Sequence, residues 1–402
     1  MSPEVVLGVG GGIAAYKAAE VLRRIQALGA NITVVPTRTA LQFVGVGTWS
    51  ALSGRPVTHD FFENVHEVPH VRIGQQADLV VVAPATANLL AKAAYGLADD
   101  LLTNTLLTAH CPVLMFPAMH TEMWEHPATR ANVATLRDRG VLVVDPDSGR
   151  LTGLDSGPGR LPEPESIAWL VHAALAKPGL THDLRHRHIV ISGGGTHERL
   201  DPVRHIGNRS SGKQAMSLAA AAISRGARVT LIRGDVDVPT PAGVEVVDAL
   251  TADEMLEAAR ALAPDSDAII MAAAIADFRA ETLPDEKIKK GDASTLNLNL
   301  VHNPDVLATL VAERAGTSPL LVGFAAETGD EAASWLEHAQ RKFAAKGCDM
   351  MVANPVGHDR AFGTDTNEAV LLLGGGITED VPSTGKVELS HRVLDAMADR
   401  LV

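Results

Sequence analysis
Apolar residues fall in short blocks along this chain, separated by helical stretches and by glycine. Residues 5–9 make the first block, three glycines follow at 10–12, and apolar positions then recur at helical spacing through 13–28 before a second block at 31–35. A short apolar run, a turn, an amphipathic helix and another apolar run are what a βαβ unit needs. The order repeats at 188–232: an apolar block at 188–191, glycines at 193–195, an alanine-rich helical run at 215–224 that closes at Arg225-Gly226, and a block at 227–232. Two such starts predict two doubly wound, Rossmann-like α/β domains. Further strands are predicted at 77–83, 112–116 and 141–144, then at 267–274, 320–324, 350–353 and 369–373, with a helix over 332–346. Pro162, Pro164, Pro178 and Gly179 punctuate the stretch between the halves, so the domains are expected at 1–185 and 186–402.

Composition sharpens this picture. Apolar residues make up 46% of the chain and aromatics only 3%, a balance that suits valine and isoleucine in parallel strands with alanine on the helices packed against them. A net charge of −13 excludes a nonspecific nucleic-acid surface, so an anionic ligand must be met by local basic side chains and helix N-termini. Cys111 and Cys348 lie in different halves without metal-ligand spacing, and both are expected to be packing residues rather than parts of a disulfide framework or a zinc site. The first residues carry no basic flank or long apolar core, and apolar runs such as 268–276 fall well short of the roughly 20 residues of a membrane helix. The expectation is a cytoplasmic protein that engages neither membrane nor nucleic acid.

Candidate chemistry gathers at the glycine turns. The loop 192–214 holds three glycines, then Glu198, Asp201, Arg204, Asn208 and Arg209, more charge and amide than a turn requires, and it reads as a phosphate site between a strand and a helix. The first turn, Gly8-Val9-Gly10-Gly11-Gly12-Ile13, breaks the dinucleotide pattern at its last position and has no P-loop lysine. Pro36-Thr37-Arg38-Thr39 stands where a nicotinamide-dinucleotide site wants an acidic residue, which disfavours a nicotinamide-dependent reductase. The turn is open to two readings, a tight turn alone or a mononucleotide site with flavin mononucleotide (FMN) as leading ligand.

Other motifs sit at strand ends. Ala83-Pro84-Ala85-Thr86-Ala87-Asn88 and Pro117-Ala118-Met119-His120 both follow predicted strands, at the carboxyl edge where open α/β sheets bind ligands. The second is equally a capped loop that packs Met123 and Trp124. His70, taken alone, reads as a structural or surface histidine. Lys287, Lys289 and Lys290 read as solvated charge, and Phe324 as core or ligand contact.

Together these motifs resemble known families. Residues 9–17, 83–88 and Pro117-x-Met119 with Met123-Trp124 are similar to the homo-oligomeric flavin-containing cysteine decarboxylases that act on 4'-phosphopantothenoylcysteine. Gly194-Gly195-Thr196-x-Glu198, Asp201 to Arg204, Asn208 to Gly212, Ala273-x-x-Ala276-Asp277-Phe278 and Lys287 to Lys290 are similar to the CTP-dependent phosphopantothenate–cysteine ligases. In this order in one chain, the halves resemble the fused bacterial coenzyme A biosynthesis family.

For the first half the resemblance implies a flavodoxin-like domain with FMN held by Gly10, Gly11, Gly12, Thr37, Pro84, Ala85, Thr86 and Asn88, and His70 as catalytic base. His120 stands at the family's asparagine that binds the substrate carboxylate, Gly10 at its usual Ser or Thr, and Gly153 at the cysteine of a substrate flap over 151–160. For the second half it implies Asn208 holding an acyl cytidylate, Arg204 needed for its conversion, and Lys287 meeting the nucleotide. Met271, Ala272, Ala273, Asp277, Pro304, Asp305, Val306, Leu307, Phe324, Lys342 and Lys346 fall at its other CTP positions, with Mg²⁺ as metal. A dodecamer built from trimers of the first domain and dimers of the second is also implied. A flavin-binding regulatory subunit is the rival reading from another class.

Overall fold
The computed structural model describes residues 2–57, 68–151, 155–289, 295–357 and 364–401. The chain divides into two compact units, Met1–His182 with Pro241–Gly243, and Asp183–Thr240 with Val244–Val402. Asp183 falls to the second unit because its carboxylate pairs with Arg225, whose side chain is almost wholly buried there. No helix among the described residues is long and apolar enough to cross a membrane.

The first unit runs β1 (Glu4–Val9), α1 (Ala18–Ala27), β2 (Asn31–Pro36), α2 (Val46–Ser53), α3 (Pro69–Gln76), β3 (Leu79–Ala85), α4 (Ala87–Tyr95) and α5 (Leu101–Thr108). It continues through β4 (Val113–Pro117), α6 (Thr121–Glu125), α7 (Pro127–Asp138), β5 (Leu142–Val143), the hairpin β6 (Asp147–Arg150) and β7 (Ser156–Arg160), and α8 (Pro164–Ala176). Five strands form one parallel sheet in the order β2-β1-β3-β4-β5. This is the flavodoxin-like order, whose switch point lies between β1 and β3. Every residue of β3 is buried, as a central parallel strand covered on both faces must be. On α1, Ala18, Val21, Leu22 and Ile25 make the buried stripe. The predicted helix over 13–28 begins instead with a 3-10 turn, Ile13–Lys17, capped by Gly12.

The second unit runs β8 (His188–Gly193), β9 (Glu198–Arg199), β10 (His205–Ile206), α9 (Lys213–Ser224), β11 (Arg228–Arg233), β12 (Glu245–Asp248), α10 (Ala252–Leu262), β13 (Ala268–Met271) and β14 (Phe278–Ala280). Then come β15 (Leu300–His302), α11 (Val306–Glu313), β16 (Leu320–Glu327), α12 (Trp335–Lys346), β17 (Met350–Pro355), β18 (Thr366–Leu373), β19 (Ile377–Gly385) and α13 (Lys386–Ala398). Its main sheet is β12-β11-β8-β13-β16-β17-β18-β19. The strands up to β17 pair in parallel; β17-β18 and β18-β19 pair antiparallel, an antiparallel edge of the kind that doubly wound sheets commonly carry. The helix expected from 332 starts at Trp335, because Ser334 and Glu337 form a reciprocal capping box. The strand expected over 267–274 stops at Met271, where the chain leaves the sheet. The second core gathers Val190, Ile232, Ile269, Leu321 and Met351 from neighbouring strands.

Candidate functional site
The first unit brings its candidate residues to the carboxyl edge of β1, β2 and β3. The turn at 10–12 is tightly fitted there. Gly10 N–H donates to Pro84 O at 3.0 Å, and a Cβ on Gly10 would lie 2.5 Å from that oxygen. A Cβ on Gly11 would lie 2.0 Å from Thr39 Oγ1. No side chain caps the Gly12 end of the turn that follows, so its first N–H groups are offered to an anion. Thr37 ends the β2 edge, its hydroxyl accepting from Ala40 N–H at 3.2 Å. Pro84 and Ala85 close β3, Thr86 N-caps α4 by accepting from Leu89 N–H at 3.3 Å, and Asn88 stands exposed in that helix's first turn. A glycine cradle at the switch point, hydroxyls beside it and an uncapped turn fit a flavin mononucleotide, whose phosphate needs donors and close backbone approach.

His70 and His120 arrive from other elements. His70 lies in the first turn of α3, half-buried, and its carbonyl accepts from Thr108 Oγ1 on α5 at 2.8 Å. Close packing of α3 on α5 depends on Gly74, where a Cβ would meet Thr108 Oγ1 at 2.3 Å. His120 is exposed at the N-terminus of α6. The β6-β7 hairpin is fastened to the same loop: Met119 N–H donates to Gly159 O at 3.0 Å and Thr121 Oγ1 to Pro158 O at 2.9 Å. The β7 strand thus sits against the loop that carries His120. Gly153 lies outside the described residues, as does Lys290.

The second unit has a cleft of about 720 Å³. Asn208, Met271, Ala272, Ala273, Asp277, Pro304, Asp305, Val306, Leu307, Phe324, Lys342 and Lys346 all line it. Residues far apart in sequence meet there because β8, β13, β16 and β17 end at one edge. Asn208 Nδ2 donates to Ile275 O at 2.9 Å. Lys342 pairs with Glu327 at 2.9 Å, and Lys346 with Asp305, which also N-caps α11 by accepting from Ala308 N–H at 3.1 Å. Burial raises the Asp305 pKa, but the Lys346 ammonium and the Ala308 N–H outweigh it and hold the carboxyl below its ordinary range. Among the described residues no three His, Cys, Asp or Glu side chains cluster as a metal site.

Arg204 and Lys287 do not line the cleft; they meet through Asp201. That carboxylate, buried at the root of its loop, accepts from Val203 N–H at 2.7 Å and Arg204 N–H at 2.8 Å through Oδ1. Its Oδ2 accepts from Ile288 N–H at 3.2 Å and from the Arg204 guanidinium at 3.3 Å, and Arg204 also donates to Ile288 O. Asp201 therefore ties the arginine loop to the segment that carries Lys287.

The glycines of this loop have a different task from the expected phosphate cradle. Gly195 N–H donates to Asp235 O at 2.9 Å and Thr196 N–H to Ala274 O at 3.3 Å, while Thr196 Oγ1, fully buried, accepts from Ala276 N–H at 2.9 Å. They buttress the 272–277 wall of the cleft, and the ligand-facing part of the loop is Asn208 to Gln214. Sequence reasoning missed Asn354, Asn367 and Lys386, which also line the cleft. The one signal for Lys386 was the pair Gly385-Lys386, which repeats Gly212-Lys213.

Two family models match the chain: Flavoprotein over residues 1–176, and the DNA/pantothenate metabolism flavoprotein C-terminal domain over 184–401. The coenzyme A biosynthesis bifunctional protein CoaBC of Mycolicibacterium smegmatis is 53% identical over 400 residues, covering 98% of this chain and 97% of that protein. The protein of the same name from Escherichia coli K12 is 40% identical over 402 residues, with 99% and 97% covered. A crystal structure of the C-terminal domain of a CoaBC protein is 30% identical and covers 55% of this chain and 98% of its own, with a TM-score of 0.46. With both halves matched in order and the whole length aligned, the chain belongs to the family of bifunctional coenzyme A biosynthesis proteins, a flavoprotein decarboxylase and a ligase for phosphopantothenoylcysteine in one polypeptide.

Proposed function
We propose that the second unit joins cysteine to 4'-phosphopantothenate at the expense of CTP, and that the first unit, with FMN bound, decarboxylates the product to 4'-phosphopantetheine. The observation that carries this reading is the cleft itself, where eleven of the twelve positions expected to meet CTP come together with Asn208.

In the ligase reaction the carboxylate of 4'-phosphopantothenate attacks the α-phosphorus of CTP, pyrophosphate leaves, and an acyl cytidylate forms. The amine of cysteine then attacks the acyl carbon; CMP leaves and the amine proton is released. Lys342 and Lys346 supply positive charge to the nucleotide, and Asn208 holds the mixed anhydride. Arg204, and Lys287 on the segment that Asp201 ties to it, act on the nucleotide and the acyl cytidylate from outside the cleft lining. A Mg²⁺ ion would serve as counter-ion of the triphosphate, bound largely through the substrate phosphates as this ion commonly is.

In the decarboxylase reaction FMN supplies the reversible two-electron oxidation of the cysteinyl side chain. Residues 10–12, Thr37 and the Pro84 to Asn88 segment hold and orient it. His70 takes the proton from the substrate's thiol or carboxylate, a task suited to an imidazole. His120 donates a hydrogen bond to the substrate carboxylate in place of an amide. Ile13 and Tyr16, each about three-fifths exposed beside the glycine turn, favour a homo-oligomer with this site near a subunit contact, and a dodecamer is the assembly we propose.

Full-length protein should be yellow and release pyrophosphate only when CTP, 4'-phosphopantothenate and Mg²⁺ are present together. His70→Asn should leave that release intact and cut CO₂ formation by roughly 10²–10⁴-fold, the usual contribution of a positioned acid or base. Asn208→Ala should stall ligation with flavin still bound. Either variant disabling both half-reactions in folded protein would overturn the two-site assignment.

A further inference from the structure
Lys213 and Lys386 are the first residues of α9 and α13, and each follows a glycine N-cap that contributes no side-chain acceptor. A cation at that end of a helix opposes the macrodipole. Lys386 is also only 7% exposed; burial, and after it the Lys213 ammonium, pull its pKa below the ordinary lysine value against the opposing pull of Asp365. Two ammonium groups gathered at two positive helix ends are a poor choice for stability alone.

Both lysines line the ligase cleft, together with Asn354 from β17 and Asn367 from β18. These amides are 7% and 9% exposed, and neither side chain has a hydrogen-bond partner among the described residues. Neither is among the sealed, unpartnered polar atoms of the described residues, so both amides are reached from the cleft they line. A purely structural role covers part of the picture: Lys213 pairs with Asp365 at 2.6 Å and Lys386 donates to Thr364 O at 2.5 Å, so both anchor the start of β18. That role explains the lysines and leaves the two amides unexplained.

We propose that Lys213, Lys386, Asn354 and Asn367 form a phosphate-binding subsite of the ligase cleft, beyond the positions assigned to the nucleotide above. The inference rests on the CTP-dependent reading of that cleft. The group bound is a phosphate, either the polyphosphate tail of the nucleotide or the monoester of 4'-phosphopantothenate. Lysines supply charge-assisted donors and the amides orient them, as phosphate oxygens require.

Titration of the full-length protein with inorganic tripolyphosphate and with 4'-phosphopantothenate tests the subsite without turnover. Lys386→Gln should weaken binding of at least one of them about tenfold, with partial recovery in Lys386→Arg, since a charge-assisted hydrogen bond is worth about that much. In steady state, a raised KM for CTP with kcat little changed assigns the subsite to the polyphosphate; a raised KM for 4'-phosphopantothenate alone assigns it to the monoester. Asn354→Ala and Asn367→Ala should shift the same constant less, which guards against a Lys386 variant that fails to fold. Binding and KM values unchanged in all folded variants would overturn the proposal. Anion binding that needs Lys386 in a protein with no CTP-dependent pyrophosphate release would instead overturn the reaction assigned to the cleft and keep the subsite.

Discussion

Three runs of three glycines, at 10–12, 193–195 and 374–376, look alike in sequence and serve three purposes. The first is a cradle: Cβ atoms on Gly10 and Gly11 would strike Pro84 and Thr39, and the turn offers N–H groups at the switch point of the sheet. The second is a joint. Gly194 adopts φ +91° with Asp235 O directly beside it, and Gly195 spends its N–H on a backbone bridge, so the ligand-facing backbone moves on to Ser210 and Ser211. The third is a bend between β18 and β19, with φ of +81° and +78° at Gly375 and Gly376 and no atom near their missing side chains. Glycine marks where the chain needs freedom or room; what stands in the room decides whether a ligand is involved.

That comparison is broken most directly at the cradle. Gly10→Val places its Cβ against a backbone oxygen at 2.5 Å, and overpacking of this kind costs about 1–3 kcal/mol. The expected result is loss of bound flavin, read by visible absorbance, with CTP-dependent pyrophosphate release unchanged. Flavin retained at full occupancy would show that the turn is only a turn.

A smaller effect is expected in the second unit from Asp201→Asn. Burial acts to raise the Asp201 pKa, but N–H donation from Val203, Arg204 and Ile288, helped by the Arg204 charge, brings it below the ordinary 3.8. The ionised form is therefore the one the folded loop prefers. Its contribution is complete above the unfolded value of 3.8 and is lost as pH falls through the lower folded value. At neutral pH the neutral amide should lower kcat/KM for ligation by about tenfold, because a charged acceptor that joins four donors is replaced by a weaker one. The wild-type loop should resist acid to below pH 3.8, measured by proteolytic nicking at 201–204, and the variant should be nicked at all pH values. Equal nicking in both would show that Asp201 does not order the loop.

The alternation of apolar blocks was enough to find the buried parallel strands, because a strand covered on both faces is largely apolar, as β3 is; the parallel edge strand β12, exposed along its length, escaped it. Nor could it reveal β19, whose residues are mostly exposed and polar and which is held by pairing with β18. Within the sites, Gly10 to Gly12 and Asn208 were legible because the local chemistry is unusual at each position. Asn354 and Asn367 were not. Each is one amide in an ordinary strand, and only the fold brings them to a cleft whose other walls come from 208–215, 271–277 and 302–307. Thr196 differs in the other direction: it belongs to the loop read from sequence as a phosphate site, while its burial against Ala276 makes it a support.

Thr196→Val sharpens that last distinction with the smallest expected effect. The isostere keeps the shape of the side chain and removes the acceptor for Ala276 N–H, which the fold then buries unpaired. Leaving a buried donor unsatisfied costs about 1–3 kcal/mol, so the second unit should unfold at lower denaturant concentration with the slope of the transition unchanged. The KM for CTP should stay within about twofold, since a side chain that supports the wall without touching the ligand changes stability more than affinity. A KM raised tenfold with stability unaltered would place the hydroxyl on the nucleotide after all, and would make the second glycine run a cradle like the first.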